Sequence, residues 1–261
     1  MRKRNSWTIS RDVTFALIQR EVKGKFGANR LGAFWFLFEP LAHIGVLIAI
    51  YVFVRAHQAS LVNLPLFLAT GVIPFLLFKN IALKGMEAVS ANKALFSYRQ
   101  IKPFDTVYAR AIVECVLMAC VYILVMCVMG AWMGNDVRIY HPLEWAFYAV
   151  AGMVLSFGLA LIYCVIGEAF PESKSLIRLI YMPLYFISGV IVPLWIIPDR
   201  FVGWILWNPY VHIIDGMRKS TFLIYPETRG ISPMYAISAA VIVLFIGISL
   251  YRVQRLKLVA S

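Results

Sequence analysis

Negative charge is scarce in this chain. Only 13 of its 261 residues are Asp or Glu, against 25 Lys or Arg, and charged residues together make up 15%. A soluble domain of this length carries more charge and fewer long apolar runs, so a large water-facing fold is excluded. Reaction chemistry is equally sparse. There is no Gly-x4-Gly-Lys-Ser/Thr loop, so the chain does not hold nucleotide phosphates by that route. Neither a Gly-x-Ser-x-Gly turn nor a His-Glu-x-x-His helix occurs. The four histidines, His43, His57, His141 and His212, are scattered, which argues against a metal site. Cys115, Cys120, Cys127 and Cys164 all fall inside apolar runs, without Cys-x-x-Cys or Cys/His spacing, and read as small packing residues. The basic start Met1-Arg-Lys-Arg has no apolar core directly after it, so no cleavable signal peptide is expected.

Apolar sequence is what the chain has in abundance. Hydrophobic residues make up 61%, and the mean hydropathy is +0.78. Six apolar runs stand out, at 33–54, 64–83, 111–133, 144–167, 176–195 and 234–251. Each is long enough, at about 1.5 Å per residue, to cross ~30 Å of hydrocarbon. They lack the alternation of barrel strands, so the predicted fold is an all-α integral membrane protein with six transmembrane helices. Residues 1–32 form a cytoplasmic N-terminus with an interfacial amphipathic helix, 33–251 the transmembrane domain, and 252–261 a cytoplasmic tail. With both ends inside, 19 of the 25 Lys/Arg face the cytoplasm, a strong positive-inside bias. Anionic lipid accounts for much of the net charge of +12 without nucleic acid.

Residues 20–40 carry the most information. A basic amphipathic strip, with Ser10 as its candidate N-cap and Phe15, Ile18, Val22 and Phe26 on one face, runs into an apolar run bearing Glu39-Pro40. The strip is either a membrane anchor or a collar at a cytoplasmic entrance. Between the second and third runs, residues 86–96 are good helix formers, with Ala88, Leu95 and Phe96 available for contact and Pro103 ending the element. This short helix is either a connector or a docking knob. The fourth run has a small-residue stripe, Gly152, Ser156, Ala160 and Cys164, that suits close packing within one chain or across a dimer. After the fifth run, Pro183, Gly189, Pro193 and Pro198 interrupt apolar sequence, and a short apolar stretch follows at 201–210. Re-entrant or interfacial helices on the outer side are expected there. Trp195, Trp204, Trp207 and Tyr210 suit an interfacial belt and a sugar-stacking surface equally. Glu39, Glu114 and Glu168 are expected at span ends, open to water and paired with Lys or Arg.

Four groups of residues resemble one family. They are Arg20-Glu21 with Leu31-Gly32 and Trp35; Glu39-Pro40; Asn92 with Lys102-Pro103; and Trp207-Asn208-Pro209 with His212 and Arg218. With the length and the six runs, the chain resembles the integral permease of type-2 ABC exporters, and within them the capsule polysaccharide export permeases. Asn29 and Asp215 depart from the usual residues of that pattern. The resemblance implies a non-enzymatic permease in the bacterial inner membrane. It implies a homodimer with two cytoplasmic ATPase subunits, which would supply the ATP and Mg that this chain does not bind. A periplasmic co-polymerase and an outer-membrane channel would complete the route for a lipid-linked polymer. By the same analogy Glu87, Ala88, Asn92, Leu95 and Phe96 couple to the ATPase. Arg20, Lys23, Lys25, Arg30 and Glu39 form the substrate entrance, and Phe34, Trp35, Phe38, Tyr181 and Tyr185 line the pathway. Other cargoes in the same class are O-antigen, teichoic acid, a drug or a small lipid. A secondary transporter or a scaffold is the reading from a different class.

Overall fold

The computed structural model describes residues 6–26, 30–54, 63–98 and 100–260. Nine α-helices occupy them: α1 Ser6–Phe26, α2 Arg30–Val54, α3 Leu64–Met86, α4 Pro103–Met133, α5 Pro142–Ala169, α6 Ser173–Ile187, α7 Asp199–Val202, α8 Pro209–Thr221 and α9 Pro233–Ala260. No strand occurs among the described residues. Proline opens α4, α5, α8 and α9. At a first turn its missing N–H is one that has no intrahelical partner anyway, and its fixed φ favours the helix.

α3 is the centre of the bundle. Leu68, Val72, Phe75, Phe78, Ala82 and Met86 are all buried along it. It packs against α5, α4, α2 and α8, while α9 lies along α5. The α5–α9 contact is backbone on backbone: a Cβ at Gly158 would stand 2.7 Å from the Leu244 nitrogen, and one at Gly247 2.6 Å from the Gly158 oxygen. Without water to drive association, such close approach is what holds helices together in lipid. The small-residue stripe of α5 is used within the chain. Gly152 meets the Phe78 ring and Ala160 meets Gly85, both on α3.

Among the described residues four helices, α3, α4, α5 and α9, are long and apolar enough to cross a membrane. Six apolar runs read as spans in the sequence. The fifth of these, 176–195, is divided: α6 stops at Ile187 after 15 residues, and a 3-10 turn follows at Leu194–Ile196. In α2 the described apolar stretch is Phe38–Ile50.

Three local expectations change. α1 already runs at Ser6, so Ser10 is inside the helix rather than capping it. Pro103 begins α4 instead of ending an element, and the Asp105 carboxylate accepts the Lys102 N–H (3.0 Å) to secure that start. The helix expected at 86–96 becomes the end of α3 and a 3-10 segment, Ser90–Ser97. Its short polar side chains explain this. Ser90 donates to the Glu87 carbonyl, Asn92 to that of Ala88 and Ser97 to that of Ala94, drawing local backbone groups away from a regular α-helix.

Candidate functional site

At one end of the bundle α1 lies across α4, beside the foot of α3 and the 3-10 segment. Three polar residues of α1 each hold a different point. The Arg20 guanidinium donates to Asn92 Oδ1 in the 3-10 segment (2.7 Å). Arg110 on α4 donates through Nε to Glu21 (3.0 Å) and through Nη1 to the Lys84 carbonyl (2.9 Å). Lys25 pairs with Glu114 of α4, which Lys84 of α3 also grips at 3.0 Å. Glu114 is only 1% exposed. It lies three turns inside α4, because that helix starts at Pro103, so it is a buried, doubly paired carboxylate and not one open to water. Burial pushes the Lys25 ammonium below its ordinary pKa, and the Glu114 charge opposes that shift. Glu21, Lys25, Lys84, Arg110 and Glu114, with Glu87 and Val113, line a cavity of about 230 Å³.

The 3-10 segment is tied down on its other side as well. Glu87 pairs with Arg178 at the start of α6. Glu168, at the end of α5, pairs with Lys174 (3.0 Å) and Lys93 (3.5 Å). Of the residues assigned to coupling, Ala88, Asn92 and Phe96 are buried, Leu95 is half-buried, and Glu87 keeps 41% of its side chain exposed. Ala88 and Phe96 pack with Val107, Ala160, Leu161 and Cys164. The outward surface of the segment is Ser90, Ala91, Lys93, Ala94, Ser97 and Tyr98.

The entrance residues separate. Lys25 turns inward to Glu114, Arg20 is exposed but bonded to Asn92, Lys23 and Glu39 are exposed, and the side chain of Arg30 lies outside the described residues. The pathway aromatics form two groups. Phe34, Trp35 and Phe38 make one exposed cluster on α2, with Phe34 and Phe38 stacked at 5.2 Å. Tyr181 and Tyr185 sit on α6 against Phe75, Tyr181 buried, and Tyr185 bonds His43 of α2 at 2.8 Å.

The Trp207-Asn208-Pro209 motif builds the opposite end. Asn208 caps α8 by accepting the Tyr210 N–H (3.0 Å) and donates to Ser188 (2.9 Å). His212 accepts the Ser232 N–H at Nδ1, so its Nε2 carries the proton donated to the Leu206 carbonyl (2.8 Å). Arg218, 1% exposed, donates to the carbonyls of Gly189, Val190 and Phe67, and lies 3.5 Å from the centre of the Phe67 ring. One guanidinium thus ties the segment after α6 to α3. Glu21 was named only within the family motif, and Lys84, Arg110 and Arg178 were not among the sequence candidates. For the last three the sequence signal was a carboxylate, Glu114, inside an apolar run.

The ABC-2 type transporter family matches residues 12–222, from α1 through α8. The chain belongs to that family. Among its relatives, the polysialic acid transport protein KpsM of Escherichia coli is 35% identical over 259 residues, covering 99% of both chains. The capsule polysaccharide export inner-membrane protein CtrC of Neisseria meningitidis serogroup A is 28% identical over 250 residues, 94% of this chain and 91% of its own. BexB of Haemophilus influenzae, which carries the same description, is 27% identical over 221 residues, 84% of this chain and 82% of its own. In this ABC-2 chain both polar centres fall inside the matched region, the α1 knot as well as Arg218. The family resemblance drawn from Arg20-Glu21, Glu39-Pro40, Asn92 and the Trp-Asn-Pro motif therefore holds.

Proposed function

We propose that this chain is the transmembrane subunit of an ATP-driven exporter of lipid-linked capsular polysaccharide. The observation that carries this reading is likeness along the whole chain to a polysialic acid transport protein. The cargo passes from the cytoplasm across the bacterial inner membrane, and both termini face the cytoplasm, as the basic bias favours. Six crossings are made when α2 and α6, with the turn after α6, join the four long helices. Two copies enclose the pathway, since a two-fold dimer is the simplest closed arrangement. Two cytoplasmic ATPase subunits bind ATP and Mg and dock on the exposed side of the 3-10 segment. A periplasmic co-polymerase and an outer-membrane channel continue the route.

The polar ties support a coupling path. Motion imposed at Ser90–Ser97 passes to α1 through Arg20–Asn92, and to α6 through Glu87–Arg178. ATP does work through these ties only if it favours one arrangement of the helices over another. Lys23 and the cationic rim of α1 attract an anionic lipid-linked end. The rings of Phe34, Trp35 and Phe38 then offer faces to sugar C–H groups. Deleting the gene in its host and staining for capsule tests the reading. Loss of surface capsule with polymer held inside the cell is the expected result. An intact capsule with no internal polymer, in a strain without a second copy, overturns it.

A further inference from the structure

The acids at the α1 end of the bundle are mostly taken. Glu21, Glu87, Glu114 and Glu168 are each paired with at least one cation. Two arginines at the same end are left over. Arg252 and Arg255, near the end of α9, are exposed and have no hydrogen-bond or ion-pair partner among the described residues. Both line a cavity of about 780 Å³ between α9, the end of the 3-10 segment and the start of α4. Lys102 lines it too, and the one acid there, Asp105, already accepts the Lys102 N–H. Three cations against one acid leave this lining positive, and the chain offers it no further anion.

The charge is joined to apolar surface in a definite order. Ile248, Tyr251, Arg252, Arg255 and Leu256 recur at i, i+3, i+4, i+7 and i+8, so they share one face of α9. Ile248 lies about 10 Å deeper along that helix than Arg255, at 1.5 Å per residue. Phe104 adds a ring to the apolar wall. Its N–H reaches the Tyr251 hydroxyl at 3.4 Å, and the two rings pack at 5.8 Å, which ties the start of α4 to α9 and fixes the back of the cavity. An apolar wall that leads to unpaired guanidinium groups suits a molecule with a hydrocarbon body and an anionic head. The planar donor fork of Arg matches phosphate geometry. A water-soluble anion would leave the wall uncovered. An acidic loop of a cytoplasmic partner would not reach Ile248, which lies within a helix apolar enough to cross the membrane.

We propose that this cavity holds an anionic glycerophospholipid of the bilayer. Its phosphate sits between Arg252 and Arg255, and its glycerol and upper acyl carbons lie against Ile248 and Phe104. None of the residues assigned to the cargo entrance or pathway lines the cavity, so the site stands whichever polymer is exported. Native mass spectrometry of the full-length protein in detergent, titrated with phosphatidylglycerol or phosphatidylcholine, tests it. One phosphatidylglycerol per chain is expected to bind about tenfold more tightly than phosphatidylcholine. Arg252→Gln and Arg255→Gln should each weaken phosphatidylglycerol about fivefold, as loss of one basic group beside an anionic head does, and together they should abolish the preference. Both side chains are exposed and unpaired, so their loss is safe for folding. The charge-matched pair Arg138→Gln with Arg200→Gln, exposed at the opposite end, should keep the preference intact. Inorganic phosphate at millimolar concentration should not displace the lipid. Equal affinity for the two lipids, or an undiminished preference in the Arg252/Arg255 double variant, overturns the proposal. So does loss of the preference in the Arg138/Arg200 pair, or displacement by phosphate alone.

Discussion

Arg218 has no slack. Its guanidinium meets three backbone carbonyls at fixed positions, and the space beside it exists because residue 71 is glycine. A Cβ at Gly71 would stand 2.0 Å from Nη2 and 2.8 Å from Cζ. Gly71→Ala must therefore displace the fork or the backbone, and a destabilisation of about 3 kcal/mol is expected, at the upper end for overpacking. Arg218→Lys should fare little better, because an ammonium cannot serve the three acceptors with one planar fork. Thermal unfolding in detergent, followed by size-exclusion chromatography, reads both. Asp215 gives a prediction in pH. Burial raises its carboxyl above the usual range, against the Tyr225 hydrogen bond and the charges of Arg218 and Lys219. Glu144 and Tyr148 from α5, and Glu227 from the loop before α9, line the cavity beside Asp215. A raised pKa means that the folded state holds its proton to higher pH. Stability should accordingly fall as pH rises from the ordinary carboxylate range through the raised one, and Asp215→Asn should flatten that profile in thermal unfolding.

Among elements, the contact between α1 and the 3-10 segment is the one to perturb. Arg20→Ala and Asn92→Ala each remove one half of a single bond, and Asn92 is also needed to close its own turn. A double-mutant cycle should give a coupling of about 1–2 kcal/mol in stability. It should also separate ATP hydrolysis from export while the subunits still co-purify. If export per ATP is unchanged in all three variants, the tie carries no motion. Most elements were legible in the sequence because apolar length and proline position are strong signals. The starts of α3 and α5, and the buried stripe of α5, needed nothing more. The 86–96 region misled because composition favoured an α-helix while Ser90, Asn92 and Ser97 could each satisfy carbonyls nearby. The reversal at Pro103 came from reading proline as a stop, when Asp105 three residues beyond Lys102 signalled a start. The α1 knot was half legible: Arg20 and Lys25 were named. Their partners lie 72 and 89 residues away, and no local pattern announces such pairs.

For the whole molecule, apolar surface is distributed unevenly. α3 is buried nearly throughout, while α9 shows Val241, Ile242, Phe245 and Val253 outward, as a lipid-facing helix does. Glu114 binds this architecture together, since it joins α1, α3 and α4 from a position closed to water. Glu114→Ala leaves two lysines facing each other, and should cost about 3 kcal/mol, the low end for breaking a buried pair because Lys84 still reaches water. Lower yield of folded protein from membranes and release of α1 to protease would check it.

The shortness of α6 bears on the bilayer itself. At about 1.5 Å per residue its 15 residues cover about 22 Å, several Å less than a normal hydrocarbon layer. Leu176, Leu179, Ile180, Met182 and Phe186 nevertheless face outward along it. On the proposed six-crossing arrangement, lipid beside this helix thins or another protein surface covers the remainder. A pinched leaflet lowers the barrier for a polar headgroup to pass from one side to the other. Acyl-chain length then becomes a control on transport: reconstituted export should slow in long-chain lipid, with ATP hydrolysis by the bare complex changing less.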